Sequence, residues 1–279
     1  VGKIKYLVLH EHIPLEEILC ITFTNNAANS LEEKIKKELN QKAKVYTFHK
    51  LSLEILKDHH ISYQIAKDDL LDYLVDEILE SISGFYFEKL FLDPLFSQYK
   101  KVIIRFIRLF IANYYDIHYF QDILKKAKKK DLSMLKIIQK LYQMYLIEKN
   151  STGIIDFDDM IYLATKIVNE KGIVKKYQYI IVDEYQDTSM VRENLVQAIR
   201  LKTRAYVTVV GDDFQSIYRF SGCDLNNFLD FQKNFKPAKK LYLTNTYRNS
   251  KELIYVAGSF IMKNPRQVKK KLKSNKSIF

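Results

Sequence analysis

"YIIVDEYQDTSM", residues 179–190, places two adjacent carboxylates at the end of an apolar run. Residues 179–182 are apolar without alternation, which is typical of a strand buried on both faces of a parallel sheet. Asp183 and Glu184 follow where that strand leaves the sheet. Neither carboxylate can be buried without a partner. The pair therefore holds a divalent cation and a water molecule, or it forms a simple polar turn.

The composition is that of an ordinary globular chain of 279 residues, 47% hydrophobic and 28% charged. No apolar run approaches the roughly 18 residues that a membrane span needs. The start of the sequence lacks the pattern of a signal peptide, so we expect a cytoplasmic protein without membrane contact. Cys20 and Cys223 form no metal-binding pattern, and we expect two free thiols.

The net charge of +12 predicts a polyanionic partner, nucleic acid before a membrane surface. Basic residues are concentrated at positions 125–130 ("KKAKKK") and 263–276, where seven of them occur without an acid. A solvated helix face is the alternative reading of the first run. The charge supports nucleic-acid binding without proving it.

Short apolar runs alternate with helical patterns along both flanks of the chain, which predicts an α/β fold with a parallel sheet. The five strand candidates are "EILCITFTNN", "KVYTFHKL", "YQYIIVDEYQ", "RAYVTVVGDD" and "KKLYLTNTYR". Between the flanks, residues 58–150 are poor in glycine and show helical spacing, most clearly at 68–82 and 133–149. We interpret this block as an all-helical insertion.

Unusual polar and aromatic residues collect where the predicted strands end, in "TFTNN", "TFH", "DEYQDTS", "GDDFQSIY" and "TYRNS". Ligands of an open parallel sheet bind beyond the carboxyl ends of its strands. An acid pair can hold Mg²⁺ and activate water, a glutamine can contact water and phosphate, and Arg248 offers a guanidinium fork for a terminal phosphate. Together these groups indicate hydrolysis of a nucleoside triphosphate.

These motifs resemble those of the UvrD/Rep-type superfamily 1 DNA helicases, and "ITFTNNAANSLEEKI", "TFH" and "DFDDM" fit further motifs in the expected order. The wording of residues 211–224 is most similar to the DNA helicase IV branch. The resemblance implies a RecA-like P-loop NTPase sheet. Residues 1–57 and 151–262 would form motor domain 1A, residues 58–150 the inserted helical subdomain 1B, and residues 263–279 a basic linker toward a second motor domain.

The resemblance also implies roles for individual residues. Asp183 would hold Mg²⁺, Glu184 would activate the attacking water, and Gln215 would sense the γ-phosphate of ATP. Arg248 would bind that phosphate, and Tyr247 would stack on the nucleotide base. The residues implied to contact single-stranded DNA are Phe23, Thr24, Asn25, Phe48, His49, Tyr218 and Phe220.

Each DNA contact has a structural alternative. Core packing is the alternative for Phe23, Phe48 and Tyr218, and a hydrogen bond at a helix start is the alternative for His49. The acids of "DFDDM", residues 156–160, are expected to cap a helix. Ser221 stands where many members of the family carry arginine, so a phosphate contact there is not expected.

The phosphate-binding pattern G-x-x-x-x-G-K-[ST] does not occur in this sequence. Its backbone N–H groups and lysine form the main cradle for the β- and γ-phosphates. We therefore expect the chain to be a helicase fragment that lacks this loop and the second motor domain. Such a fragment alone would show negligible ATPase activity and no unwinding.

Three functions remain open at this point. The leading one is part of an ATP- and Mg²⁺-dependent 3′–5′ translocase acting on single-stranded DNA or on a duplex with a 3′ single-stranded tail. The second is a natural single-strand-binding or regulatory module without ATPase activity, which would not need Asp183 or Glu184. The third is a metal-dependent nuclease, although no histidine or lysine accompanies the acids in a recognisable nuclease arrangement.

Overall fold

The computed structural model describes residues 1–65, 70–81, 96–113, 115, 117–217, 222–265 and 267–278. Its strands are β1 (Ile18–Thr22), β2 (Val45–Thr47), β3 (Gln64–Ile65), β4 (Ile154–Ile155), β5 (Tyr179–Val182) and β6 (Tyr206–Val209). Its helices are α1 (Gly2–Leu9), α2 (Asn25–Leu39), α3 (Phe48–Asp58), α4 (Leu70–Ser81), α5 (Phe96–Ala112), α6 (Ile117–Lys126), α7 (Lys129–Thr152), α8 (Phe157–Lys171), α9 (Met190–Thr203), α10 (Leu225–Leu229), α11 (Phe231–Asn234) and α12 (Lys251–Ile261).

The central sheet has four parallel strands in the order β2-β1-β5-β6. All five residues of β1 are buried, as are three of the four residues of β5. Strands covered on both faces need apolar side chains on both sides, which explains why their sequences do not alternate. The predicted α/β class with a parallel sheet is confirmed.

Successive residues of β1 pack on opposite faces of the sheet, as the pleat of a strand requires. Leu19 and Ile21 join the larger core, which α3, α8 and α9 cover. Ile18 and Cys20 join a second core, which α1 and α2 cover. Cys20 and Cys223 are both buried, and no disulfide joins them. The Cys223 thiol donates to the carbonyl of Asp187 at 2.8 Å.

The helical block has a core of its own. Buried residues of α4, α5, α6 and α7 form a separate apolar cluster that includes Ile103, Phe120 and Leu141. The predicted helices at 68–82 and 133–149 correspond to α4 and α7; residues 66–69 and 82 lie outside the described part of the chain. The lysines of residues 125–130 are exposed where α6 ends and α7 begins.

The two ends of the block lie side by side, because β3 and β4 pair in parallel, Gln64 with Ile154 and Ile65 with Ile155. A chain that leaves and returns at one place is what an insertion requires. The division into domains 1A, 1B and a linker stays a prediction.

Asp156 and Asp159 form a capping box at the start of α8, which confirms the predicted helix-capping role of "DFDDM". Each carboxylate accepts a hydrogen bond from the backbone N–H of the other residue, at 2.7 and 3.0 Å. Tyr145 of α7 donates to Asp156, and Lys149 of α7 pairs with Asp159 at 2.5 Å. These contacts join the helical block to the helix that supports the sheet.

The fifth strand candidate, residues 239–248, is not a strand of the sheet, and this prediction is wrong. Leu241 and Leu243 are 79% and 87% exposed, and only Asn245 makes an isolated parallel bridge, to Lys273. An apolar run becomes a strand only where a neighbour accepts its hydrogen bonds. Within the described residues, no strand of the sheet lies beside this run.

Candidate nucleotide and nucleic-acid site

The carboxyl ends of β1, β2, β5 and β6 lie at one edge of the sheet, since all four strands are parallel. The structure therefore brings together the segments that follow them, at residues 23–25, 48–49, 183–187 and 210–215. We call this the strand-end edge. Four of the five polar clusters singled out in the sequence meet there.

Asp183 continues the ladder of β5 by donating its backbone N–H to Ile21 at 3.0 Å, and its side chain is half-buried. Glu184 is exposed and has a left-handed backbone, with φ of 52°. This conformation costs a non-glycine residue about 1–2 kcal/mol and is concentrated at functional sites. The backbone N–H of Glu184 donates to the Asp183 carboxylate at 3.1 Å.

Gln186 joins the acid pair to the loop after β6. Its amide donates to Glu184 Oε2 at 2.8 Å, and its side-chain oxygen accepts the backbone N–H of Asp212 at 3.0 Å. Gln186 is only 2% exposed, and both bonds are partly buried. A Cβ at Gly211 would lie 2.6 Å from the same side-chain oxygen, so the close approach requires glycine at that position.

Gln215 completes a chain of hydrogen bonds along the strand-end edge. It is exposed, and its amide donates to Asp212 Oδ2 at 2.8 Å. Glu184, Gln186, Asp212 and Gln215 are thus connected in series. The sequence motifs pointed to Glu184 and Gln215, but not to the two residues that join them.

Tyr185, the residue after Glu184, holds the acid pair from the interior of the protein. Its side chain is fully buried, and its hydroxyl donates to Glu193 Oε2 at 3.1 Å. Asn234 donates to the other oxygen of Glu193 at 2.8 Å. Burial raises the pKa of Glu193, and the two hydrogen bonds oppose that change. The loop after β5 is therefore fixed to α9 on the side away from solvent.

Tyr247 and Arg248 lie on an exposed segment before α12, and Tyr247 is 72% exposed. Among the described residues, no hydrogen bond or ion pair joins either side chain to Asp183, Glu184 or Gln215. The structure does not bring these two predicted nucleotide contacts against the acid pair.

Phe23 and Phe48 pack together edge to face, with ring centroids 5.5 Å apart. Phe23 is half-buried, and the guanidinium of Arg192 lies 5.4 Å from its ring centroid. Phe48 is only 2% exposed and belongs to the larger core. The structure thus favours core packing for Phe48, while Phe23 keeps part of its surface at the strand-end edge.

His49 is half-buried and meets the ring of Phe157 edge to face at 5.1 Å. Its Nε2 atom is buried and has no hydrogen-bond partner among the described residues. Burial, assisted by the positive charge of Arg192 and opposed by Asp156, lowers the pKa of His49 to about 4. The ring is therefore neutral near pH 7 and adds no charge to the site.

Thr24 and Asn25 are exposed at the start of α2. The Thr24 hydroxyl accepts the backbone N–H of Ala27 at 3.1 Å, so this side chain caps the helix. Tyr218 and Phe220, the two remaining predicted DNA contacts, lie outside the described residues, as does Ser221.

The donor set at Asp183 fits Mg²⁺ of the kind held mainly by substrate phosphates. Mg²⁺ commonly takes one or two carboxylates and fills its other positions with water and phosphate oxygens. In the described part of the chain, the one hydrogen bond to the Asp183 carboxylate comes from the backbone of Glu184. No group of three or more metal-binding side chains occurs among those residues.

A family profile described as the UvrD/REP helicase N-terminal domain matches residues 1–236. The chain belongs to the UvrD/REP helicase family. Its match includes the acid pair and Gln215 but ends before Tyr247 and Arg248. No helix among the described residues is long and apolar enough to cross a membrane.

Relatives of this UvrD/REP domain cover almost all of its length. The chain is 28% identical over 284 residues to the ATP-dependent DNA helicase Rep of Buchnera aphidicola subsp. Baizongia pistaciae, covering 99% of the chain and 40% of that protein. It is 31% identical over 279 residues to the ATP-dependent DNA helicase PcrA of Bacillus subtilis, and this match covers 97% of the chain and 36% of that protein. It is 29% identical over 294 residues to Rep of Escherichia coli, covering 97% and 40%.

The chain thus spans about two fifths of the length of the curated relatives that it matches. Those relatives are named Rep and PcrA, so the placement in the DNA helicase IV branch stays a prediction.

Proposed function

We propose that this chain is part of an ATP-dependent 3′–5′ DNA helicase or translocase, which hydrolyses ATP and binds single-stranded DNA as an intact protein. The observation that carries the proposal is the series of hydrogen bonds from Glu184 through Gln186 and Asp212 to Gln215. It connects a candidate base to a candidate phosphate sensor across two neighbouring strand ends. Neither mere DNA binding nor a polar turn requires this arrangement.

Within this proposal, Glu184 accepts a proton from the attacking water, while the Gln186 amide holds its carboxylate in place. Gln215 contacts the γ-phosphate. Asp183 would hold Mg²⁺, which would supply positive charge for the phosphate oxygens. Arg248 binds the same phosphate and Tyr247 stacks on the base once the segment that carries them approaches the acid pair.

The proposed path of single-stranded DNA follows the strand-end edge. Phe23 offers a partly exposed ring for base stacking, which contributes on the order of 1–3 kcal/mol per base. Thr24, Asn25 and His49 are proposed to contact the DNA beside that ring, and Tyr218 and Phe220 are proposed to extend the path. Phe48 supports Phe23 from within the core. A DNA substrate with a 3′ single-stranded tail is proposed from the family alone.

The test is ATP hydrolysis by the complete protein in which this sequence occurs, with Glu184→Gln compared with wild type. Turnover should fall about 10²–10⁴-fold, the usual contribution of a general base, while ATP binding is retained. Glu33→Gln, an exposed acid on α2, is the matched control and should leave turnover unchanged. Hydrolysis retained in Glu184→Gln would reject Glu184 as the base. DNA binding by a wild-type protein that hydrolyses no ATP would favour the single-strand-binding module instead.

A further inference from the structure

Lys270, in the basic segment after α12, is docked on the two acids that follow β6. Its ammonium donates to Asp212 Oδ1 and, at 2.7 Å, to Asp213 Oδ1. Only 13% of the Lys270 side chain and 2% of the Asp213 side chain are exposed. The backbone N–H of Val268 donates to the second oxygen of Asp213 at 2.8 Å. The contact is therefore a built ion cluster rather than a surface ion pair.

The ring of Phe214 also contacts the Lys270 ammonium. The ammonium of Lys270 lies 3.9 Å from the ring centroid of Phe214, close enough for a cation–π contact. A buried ammonium needs both charge partners and hydrogen-bond acceptors, and here it has two carboxylates and a ring face. Lys269 and Lys271, its neighbours in sequence, are both exposed.

Asp212 connects Lys270 to the candidate catalytic residues. While Oδ1 accepts from Lys270, Oδ2 accepts the amide of Gln215 at 2.8 Å. The backbone N–H of Asp212 donates to Gln186, whose amide holds Glu184. Burial alone would raise the pKa of Asp212, but the hydrogen bonds from Lys270 and Gln215 outweigh it and lower the pKa.

The same basic segment also holds the chain on either side of Arg248. Lys273 donates its backbone N–H to Thr244 at 2.8 Å and accepts the backbone N–H of Thr246 at 2.9 Å. Three residues after Arg248, Lys251 donates its backbone N–H to Lys276 at 2.9 Å. Residues 268–276 thus contact both the loop of the candidate γ-phosphate sensor and the segment of the candidate phosphate-binding arginine.

We propose that Lys270 is a positioning residue for ATP hydrolysis: it fixes Asp212, whose carboxylate accepts the amide of Gln215 and whose backbone N–H donates to Gln186 beside Glu184. The proposal rests on the proposed function. Without the ammonium, Asp212 and Asp213 would repel each other, and the Asp212 carboxylate would lose the charge that orients it toward Gln215. Displacements of about 1 Å at such groups can cost on the order of 10²-fold in rate.

The test is Lys270→Met in the complete protein, because methionine keeps the length of the side chain over Phe214 but removes its charge. The kcat of ATP hydrolysis should fall roughly 10- to 100-fold. The KM for ATP and the affinity for single-stranded DNA should not change, because the Lys270 ammonium is paired with Asp212 and Asp213 and its side chain is only 13% exposed. Lys269→Met and Lys271→Met remove a neighbouring charge and should keep the wild-type kcat.

Two further variants separate positioning from simple loss of folding. Lys270→Met leaves Asp213 buried without a counter-charge, so Lys270→Met/Asp213→Asn relieves that charge and should still lose kcat. Lys270→Arg keeps the positive charge and should recover part of the kcat that Lys270→Met loses. NMR titration of the Asp212 carboxyl in the 279-residue chain provides a readout that needs no ATP. Its pKa should rise in Lys270→Met.

Wild-type kcat in the double variant would overturn the proposal, as would an unchanged Asp212 titration in Lys270→Met. A wild-type protein without ATPase activity would overturn the proposed function and the catalytic role of Lys270 together. In that case the titration would still decide whether Lys270 holds Asp212.

Discussion

Gly211→Ala should disrupt the hydrogen bond between Gln186, in the loop after β5, and Asp212, in the loop after β6. An added Cβ would lie 2.6 Å from Gln186 Oε1, 2.8 Å from the ring of Phe228 and 3.1 Å from the backbone nitrogen of Gln186. The first two distances are closer than a methyl group tolerates, and the third is tight. Gln186 Oε1 cannot withdraw without breaking its bond to the Asp212 N–H.

The expected loss of stability combines two effects. Overpacking of a tight site costs about 1–3 kcal/mol, and a broken hydrogen bond adds about 1 kcal/mol. The free energy of unfolding should therefore fall by about 2–4 kcal/mol. With a urea m-value of about 3 kcal/mol/M, the unfolding midpoint should move down by roughly 1 M.

The assay is urea unfolding of the 279-residue chain followed by circular dichroism, since the sequence contains no tryptophan. Gly258→Ala is the matched control, because a Cβ at that position in α12 meets no atom within 4 Å. It should be neutral or stabilise by up to about 1 kcal/mol through its helix propensity. If Gly211→Ala unfolds at the same urea concentration as Gly258→Ala, the tight approach of Gly211 to Gln186 is wrong.

Three other perturbations give distinct outcomes. Phe23→Ala should weaken binding of single-stranded DNA about 5- to 150-fold, as measured by fluorescence anisotropy. Phe48→Ala should instead lower the free energy of unfolding by about 3–5 kcal/mol, as measured in urea. Equal DNA affinities for Phe23→Ala and wild type would remove Phe23 from the path. Arg192→Gln should lower the slope of log affinity against log salt by about 0.7, while Lys202→Gln, exposed at the far end of α9, should not; equal slopes would exclude a phosphate contact by Arg192. Burial raises the pKa of Glu54, but hydrogen bonds from two lysines and a tyrosine outweigh it and lower the pKa from 4.5 to about 2. Because the charged form is favoured in the folded state, Glu54→Gln should lose about 1–2 kcal/mol at pH 7. This difference from wild type should disappear as the pH falls from about 4.5 to 2 in urea titrations, and a constant difference would contradict the ion pairs of Glu54 with Lys44 and Lys175.

Local patterns predicted the sheet well. The unalternating apolar runs at 18–22 and 179–182 could only be satisfied by burial on both faces, and the structure buries them so. The strand candidate at 239–248 also contained an apolar run, although a shorter one, at 241–243. It failed as a strand because pairing depends on a neighbour, which a local pattern does not report.

The candidate site was predicted in its acids but not in its connections. Asp183 and Glu184 were visible because carboxylates rarely end a buried strand. Gln186 and Asp212 bond only because β5 and β6 are adjacent, and strand order is not written in either segment. The contact between Lys270 and Asp212 spans 58 residues, so a run of lysines gave no sign of which one would be buried.

Phe23 and Phe48 show a limit of motif reasoning. Both follow a strand, Phe23 shortly before α2 and Phe48 as the first residue of α3, and both were expected to contact DNA. Their burial differs because Phe48 belongs to the larger core, which α3, α8 and α9 cover. Phe23 packs against that core and stays only partly buried. That difference depends on packing around β2, which the three letters "TFH" cannot convey.

Whether this chain belongs to an ATP-driven DNA motor is tested by steady-state ATP hydrolysis of the complete protein, measured with and without a single-stranded oligonucleotide in the presence of Mg²⁺. A DNA-driven motor should hydrolyse ATP much faster when the oligonucleotide is present, and Glu184→Gln should remove that stimulation. An ATP turnover that does not respond to DNA, or its absence under both conditions, would contradict the assignment of the strand-end edge to an ATP-driven DNA motor.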